Sequence, residues 1–262
     1  MLFPFQPLGS RPPLFLVHGL YGIFAFSRSL AEILGPDQPI YGIHARGFRD
    51  TESPCDTVAE MADAYLREIQ GVCAAGPYFI GGICHGSLVA IEIARKLRAN
   101  GQPFGRLFLL DPGVSPHRSA AGLNQLESGL TRAGVRQQLA DQARASVIQH
   151  SKGTISPPFD ADDPRQTTRA THVAMTTALA FARHRVEPFD APCELFVSSD
   201  WGIHLFVPGH EWQRVLRGHR RIHVFHGLHT ELLGLHHRRT ARLVKAALES
   251  CLPAPGRPDR RA

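Results

Sequence analysis

An α/β fold with a mostly parallel sheet and helices on both faces is predicted by three features of the 262-residue chain. Short apolar runs recur along it, stretches with helical apolar spacing alternate with them, and several runs end on Gly or Asp. Strands buried on both faces read as continuous apolar segments, and the alternation with helices requires crossover connections.

"PLFLVHG" (13–19) is the first buried strand, and "GIFAFSRSLAEIL" (22–34) has helical spacing. "QPIYGIHARG" (38–47) is a second strand, followed by a helix over "DTVAEMADAYLREIQGV" (56–72) with Asp56 as its N-cap. "PYFIGGI" (77–83) is a third strand, and "SLVAIEIARKLRANG" (87–101) is a helix closed by Gly101. "RLFLLD" (106–111) is a fourth strand. From Pro112 to about Pro192 the rhythm breaks into helical patches (135–148 and 165–184) around the turn-rich "SKGTISPPFDADDP" (151–164), which reads as an insertion over the sheet. "CELFVSSD" (193–200) returns as a strand, and "RRIHVFHGLHTELLG" (220–234) reads as strand, loop and helix start.

Bulk properties narrow the function. The net charge is +6, but the basic residues are dispersed without interleaved aromatics, so no nucleic-acid partner is expected. No apolar run has the length of a membrane span and no basic-then-apolar leader opens the chain, so the expectation is a soluble, cytoplasmic protein. Five scattered cysteines give neither a disulfide framework nor Cys-x-x-Cys spacing. His226, His229, His236 and His237 cluster in sequence without a clear three-ligand face, so no metal is expected, and no cofactor of the protein's own.

The chemistry centres on "GGICHG" (81–86), where Cys84 sits between Gly82 and Gly86. A nucleophile at a strand-turn-helix needs small neighbours because the backbone is crowded there. A small cysteine in a Gly-rich turn is also ordinary packing, so partners must decide. In this architecture they follow in the order acid, then histidine. Asp111 closes one strand and Asp200 another, and His229 and His226 both follow the last strand. A histidine beside the thiol gives a thiolate–imidazolium pair, and the helix beginning after Cys84 favours the anion. The backbone amides of His85 and Leu20, the latter in the loop "HGLYG" (18–22), are the natural pair for an oxyanion hole.

"PLGSRPPLFLVHG", "QPIYGIHARGF", "PYFIGGICHGSLVAIEIARKL", "LFLLDPGVSP" and "GLHTELL", in that order, resemble the type I thioesterase domain of nonribosomal peptide synthetases over about residues 5–250. The resemblance implies an α/β-hydrolase fold at 13–250, with a helical lid at about 113–190. It implies a linker from an upstream peptidyl carrier domain at 1–12 and leaves 251–262 as a flexible tail. It places the triad on Cys84, Asp111 and His229, favours Asp111 over Asp200, and implies a peptidyl substrate arriving on carrier-protein phosphopantetheine. A monomeric domain is the default. The family's usual serine is replaced here by cysteine, which resembles thioesterases that release β-lactones and β-lactams. Cyclisation to a strained small ring is therefore the expected release, with hydrolysis to the free acid as the alternative. Dienelactone hydrolases also carry Gly-x-Cys-x-Gly in this architecture, and a catalytically dead binding scaffold is the non-enzymatic alternative. Phe159, His172, Met175 and Phe181 are lid residues that either line a chamber or simply pack.

Overall fold

The structure, a computed structural model, describes residues 1–24, 28–49, 51–112, 141, 159–160, 162–200, 211–233 and 235–252. The strands are β1 (Leu2–Gln6), β2 (Leu14–Val17), β3 (Ile40–Ile43), β4 (Tyr78–Ile83), β5 (Phe104–Leu110), β6 (Cys193–Ser198) and β7 (Arg220–Phe225). The helices are α1 (Arg28–Leu34), α2 (Val58–Val72), α3 (Gly86–Ala99), α4 (Pro164–Arg183), α5 (Glu211–Val215) and α6 (His237–Glu249).

These strands form one seven-stranded sheet in the order β1-β3-β2-β4-β5-β6-β7. β1 runs antiparallel to β3, and every other pairing is parallel. Residues 1–12, expected as a linker, therefore contribute an edge strand: Leu2 pairs with Ile43 and Phe3 with Gly42.

Side-chain alternation sends the sheet into two cores. Phe15, Val17, Ile80, Leu107 and Leu109 pack with Met61, Tyr65 and Ile69 of α2 and with Leu88, Ile91 and Leu97 of α3. Leu14, Leu16, Phe79, Phe108 and Leu110 pack on the other face with α1 and α6 through Leu30, Leu34, Ala241, Val244 and Leu248. Each such fully buried large apolar side chain contributes about 1.5–3 kcal/mol.

Helix ends differ slightly from expectation. Thr57, not Asp56, caps α2: its Oγ1 accepts the Glu60 amide at 3.1 Å, while Glu60 in turn accepts the Asp56 amide at 2.9 Å. α3 ends at Ala99, and Gly101 follows at φ +66°, the left-handed conformation that a helix stop favours.

Much of the expected lid, from Gly113 to Pro158, lies outside the described residues except Asp141, as do residues 253–262 of the expected tail. Cys251 and Leu252 form a turn after α6. The described part of the β5–β6 insertion is dominated by α4, which Pro164 opens and Asp163 caps. Ala180 and Phe181 of α4 join the core on the α2–α3 face, and Ala170 and Val173 pack with Ile23, Ala45, Phe48 and Phe159. α4 thus spans the loops that follow β2 and β3.

Candidate active site

β4 enters the site as "YFIGGI" and turns sharply at Cys84, whose φ is +51°, a left-handed value that costs a non-Gly residue energy. The turn is closed by backbone: the Cys84 amide donates to Leu110 at 2.8 Å, and the Cys84 carbonyl accepts from Ser87 at 3.1 Å. Ser87 Oγ also donates back to the Gly82 carbonyl at 3.0 Å. No side chain fits on either flank. A Cβ on Gly82 would lie 2.4 Å from the Gly86 carbonyl oxygen, and one on Gly86 would lie 1.8 Å from that of His18. The result is a sulfur held at the end of a central strand, above the N-terminus of a 14-residue helix.

Asp111 follows β5, the neighbour of β4, and is fully buried with φ +49°. Its Oδ1 accepts the Ser198 amide at 2.9 Å, and its Oδ2 accepts the Ser198 hydroxyl at 2.6 Å. The same Oδ2 lies 2.7 Å from His229 Nδ1. His229 opens a short 3-10 turn (His229–Glu231) after β7, fastened by Glu231, whose carboxylate accepts the Leu228 amide at 2.8 Å. His229 also interacts with the Cys84 sulfur, which raises the imidazole and lowers the thiol. Cys84, His229 and Asp111, distant in sequence, are therefore contiguous in space.

Asp200 and His226, the alternatives left open by sequence, lie elsewhere. Asp200 is exposed, and its Oδ1 accepts the neighbouring Ser199 hydroxyl at 3.0 Å. His226 is exposed, and its carbonyl is taken by His236 Nε2 at 2.8 Å. His237 faces apolar residues that include Leu14, Leu233 and Val244. Among the described residues no group of three or more His, Cys, Asp or Glu side chains is arranged to hold a metal ion.

The charges respond to this geometry. Burial pushes the Cys84 thiol up, but the imidazoles of His85 and His229 outweigh it and bring it down to about 6. Burial pushes His229 down, but hydrogen bonds to Asp111 and Cys84 outweigh it and raise it to about 10. Both shifts favour the thiolate–imidazolium form of the pair. By contrast, burial lifts the Cys193 thiol to about 12.

Leu20 lies half-buried in the loop after β2, packed with Ala178, Met175 and Leu179 of α4. Among the described residues, neither the Leu20 amide nor that of His85 donates to a protein acceptor. The loop is held from below by His18, which is fully buried. One His18 nitrogen is 2.7 Å from the Gly19 carbonyl and the other 2.7 Å from Tyr65 Oη. Burial lowers its imidazole to about 4, so it stays neutral, donating to Gly19 and accepting from Tyr65.

Three contributors escaped sequence reasoning: the Ser198 anchor, the His18–Tyr65 support and the His85 side chain. The last has its Nδ1 3.0 Å from Cys84 Sγ, and its ring stacks on Phe181 at 5.5 Å. Only register and packing could reveal these, since nothing local marks them. Of the lid residues named from sequence, Phe181 reaches the site. Phe159 stacks on Phe48, Met175 is half-buried beside Leu20, and His172 is exposed.

The sheet order and the strand-turn-helix after β4 define an α/β-hydrolase fold, which comparison with solved structures repeats. The chain superposes on the Vlm2 thioesterase domain with TM-score 0.70 and 20% identity, covering 96% of this chain and 98% of that one. For the NocB thioesterase domain, solved as a covalent complex with a fluorophosphonate nocardicin G analog, the TM-score is 0.68 at 20% identity. That match covers 94% of this chain and 99% of that one. The thioesterase-domain family model matches residues 12–248, and the chain belongs to that family. Among curated relatives, the nonribosomal peptide synthetase btyA of Aspergillus terreus is 40% identical over 97 residues. The match covers 37% of this chain and 10% of that protein, so the chain spans a small part of its relative's length. Among the described residues no helix is long and apolar enough to cross a membrane.

Proposed function

We propose that this chain is the releasing thioesterase domain of a nonribosomal peptide synthetase, with Cys84 as nucleophile, His229 as general base and acid, and Asp111 as the group that orients His229. The observation that carries the reading is the Cys84–His229–Asp111 relay, with a sulfur strained to the tip of β4. Thioesterase domains of such synthetases need no cofactor of their own, the acyl chain arriving on a carrier domain. Supporting the context, 40% identity to the btyA synthetase segment and a four-domain synthetase among the structural neighbours point to an upstream peptidyl carrier as partner.

In the first step the Cys84 thiolate attacks the carbonyl of the carrier-bound thioester. The C–S bond to phosphopantetheine breaks, and the leaving thiolate takes the proton of His229. The amides of Leu20 and His85 stabilise the tetrahedral oxyanion. Neutral His229 then removes a proton from an N–H or O–H of the acyl chain itself, which attacks the Cys84 thioester. The ring closes as sulfur leaves with its electron pair. Cysteine suits this second step because a thioester retains the activation of the incoming acyl group, whereas an oxygen ester discards much of it. A strained small ring, a β-lactam or β-lactone, needs that retained activation. The α4 ceiling, with Phe181, Met175 and Leu179 over the loops, lies where it can hinder water.

The test is the product mass from a peptidyl thioester bearing an internal amide or hydroxyl, compared with Cys84→Ser. A product lighter than the free acid by one water, replaced by free acid in the serine variant, supports cyclisation through the thioester. Free acid from both proteins makes the domain a hydrolase. No acyl adduct on Cys84 from a carrier-loaded substrate removes the nucleophile assignment.

A further inference from the structure

Two imidazoles reach the Cys84 sulfur, and we propose that His85 is a second catalytic residue, whose Nδ1–H donates to the resting thiolate and re-forms that bond as sulfur departs from the acyl group. This rests on the reading of Cys84 as the nucleophile.

The geometry is specific. His85 Nδ1 lies 3.0 Å from Sγ, within hydrogen-bond reach for sulfur. The residue sits at the N-cap of α3 with helical φ and ψ of −62° and −28°. Its ring lies against Phe181, with centroids 5.5 Å apart and planes 30° from parallel, and Phe181 is itself buried. The imidazole is thus held between a fixed aromatic ring and the sulfur.

Charge balance gives this contact a purpose. His229 is one cation placed between two anions, since it bonds Asp111 as well as Cys84. Part of its charge is engaged by the carboxylate, so a buried thiolate gains from a second donor. Among the described residues, Tyr21 and His18 also lie in this region. Tyr21, in the loop after β2, has its phenol raised by burial and by the Cys84 charge. His18, on another side of Phe181 at 6.3 Å, already bonds Gly19 and Tyr65. A hydrogen bond to the charged form stabilises it, which is the sense in which His85 acts.

The donor is useful because it is not uniform along the reaction. In the acyl-enzyme the sulfur is a neutral thioester and attracts an N–H weakly. During ring closure the C–S bond breaks and its electron pair returns to sulfur, while the proton of the attacking N–H or O–H goes to His229. His85 then bonds the developing thiolate more strongly than the thioester. An interaction stronger in the transition state accelerates the step.

The experiment is the pH dependence of Cys84 alkylation by iodoacetamide, followed by mass of the Cys84 peptide so that the other cysteines do not contribute. The intact protein is compared with His85→Phe, His85→Asn and His229→Ala. Phenylalanine keeps a ring on Phe181 but has no N–H, whereas Asn places an amide N–H near the Nδ1 position. The expected inflection for the protein is near 6. It should rise by about one unit or more in His85→Phe, a tenfold loss of thiolate below the inflection, and less in His85→Asn. An unchanged inflection in His85→Phe, with His229→Ala shifted upward, overturns the proposal and leaves Cys84 as nucleophile. An inflection at the ordinary thiol value in the unaltered protein instead overturns the activated nucleophile itself. Should His85→Phe fail to fold, His85→Asn against His85→Gln decides, because the longer amide reaches the Nε2 position: equal inflections overturn the proposal.

Discussion

Asp111 Oδ2 lies 2.7 Å from His229 Nδ1, and Ser198 donates to both carboxylate oxygens from the adjacent strand. The carboxylate is thereby aimed at the imidazole before any substrate arrives. Asp111→Asn should lower turnover of a thioester substrate by about 10³–10⁴-fold, because an amide presents the wrong tautomer partner. Asp200→Asn, at an exposed carboxylate that accepts from Ser199, should leave turnover nearly unchanged. Single-turnover rates of both variants check this, and a larger loss in Asp200→Asn would reverse the assignment.

Ser198→Ala removes the hydroxyl that donates to Asp111 at 2.6 Å but keeps the backbone amide bond. A buried charge-assisted hydrogen bond is worth about 1.5–3 kcal/mol, so urea unfolding should show a loss of that order. Turnover should fall less than in Asp111→Asn, since the carboxylate remains.

The thiolate–imidazolium pair sets a pH window for acyl loading. Cys84, lowered to about 6, becomes thiolate as pH rises through that value, and His229, raised to about 10, loses its proton only near the upper value. Loading should therefore rise through about pH 6, plateau, and fall toward pH 10, the two limbs belonging to the coupled pair. Pre-steady-state acylation with a thioester mimic gives the profile. A single limb near the ordinary thiol value would contradict it.

Stability should be acid-sensitive through His18. Its folded value is about 4, below that of an unfolded histidine. Between about pH 6.5 and 4 the unfolded chain binds a proton that the folded protein refuses, so stability falls as pH drops through that window. Urea titrations across it should show a shallower slope in His18→Asn.

Two glycine substitutions should have opposite signs. Gly86→Ala would drive a Cβ to 1.8 Å from the His18 carbonyl oxygen and should abolish folding or acylation. Gly71→Ala lies in α2 with nothing within 4 Å of its Cβ, and should stabilise by about 0.5–1 kcal/mol. Thermal melts separate the two.

Much of the architecture was legible because parallel strands bury both faces. β2, β3, β4, β6 and β7 fall within the apolar runs from which they were expected, while β5 begins earlier than its expected run, at Phe104. β1 was not legible: Leu2–Gln6 is interrupted by Pro4, which an edge strand tolerates and a central one does not. The cap of α2 slipped by one residue because Asp56 and Thr57 are both good cap formers, and only the backbone angles choose between them.

The order Cys84, Asp111, His229 could be read along the chain, since each follows a strand and strand ends meet at one edge of a parallel sheet. So could the crowding around Cys84, which the flanking glycines announce. Strand order by itself left the acid open between Asp111 and Asp200, because both end strands and order does not say which points inward; the family resemblance favoured Asp111. The folded chain places Asp111 under His229 and Asp200 in solvent. It also brings Ser198 to Asp111, Tyr65 to His18 and Phe181 to His85. Local pattern encodes strands, turns and helices, which depend on neighbours in sequence. Hydrogen bonds between side chains 87 or 118 residues apart depend on strand register and helix packing, and those exist only once the sheet has closed.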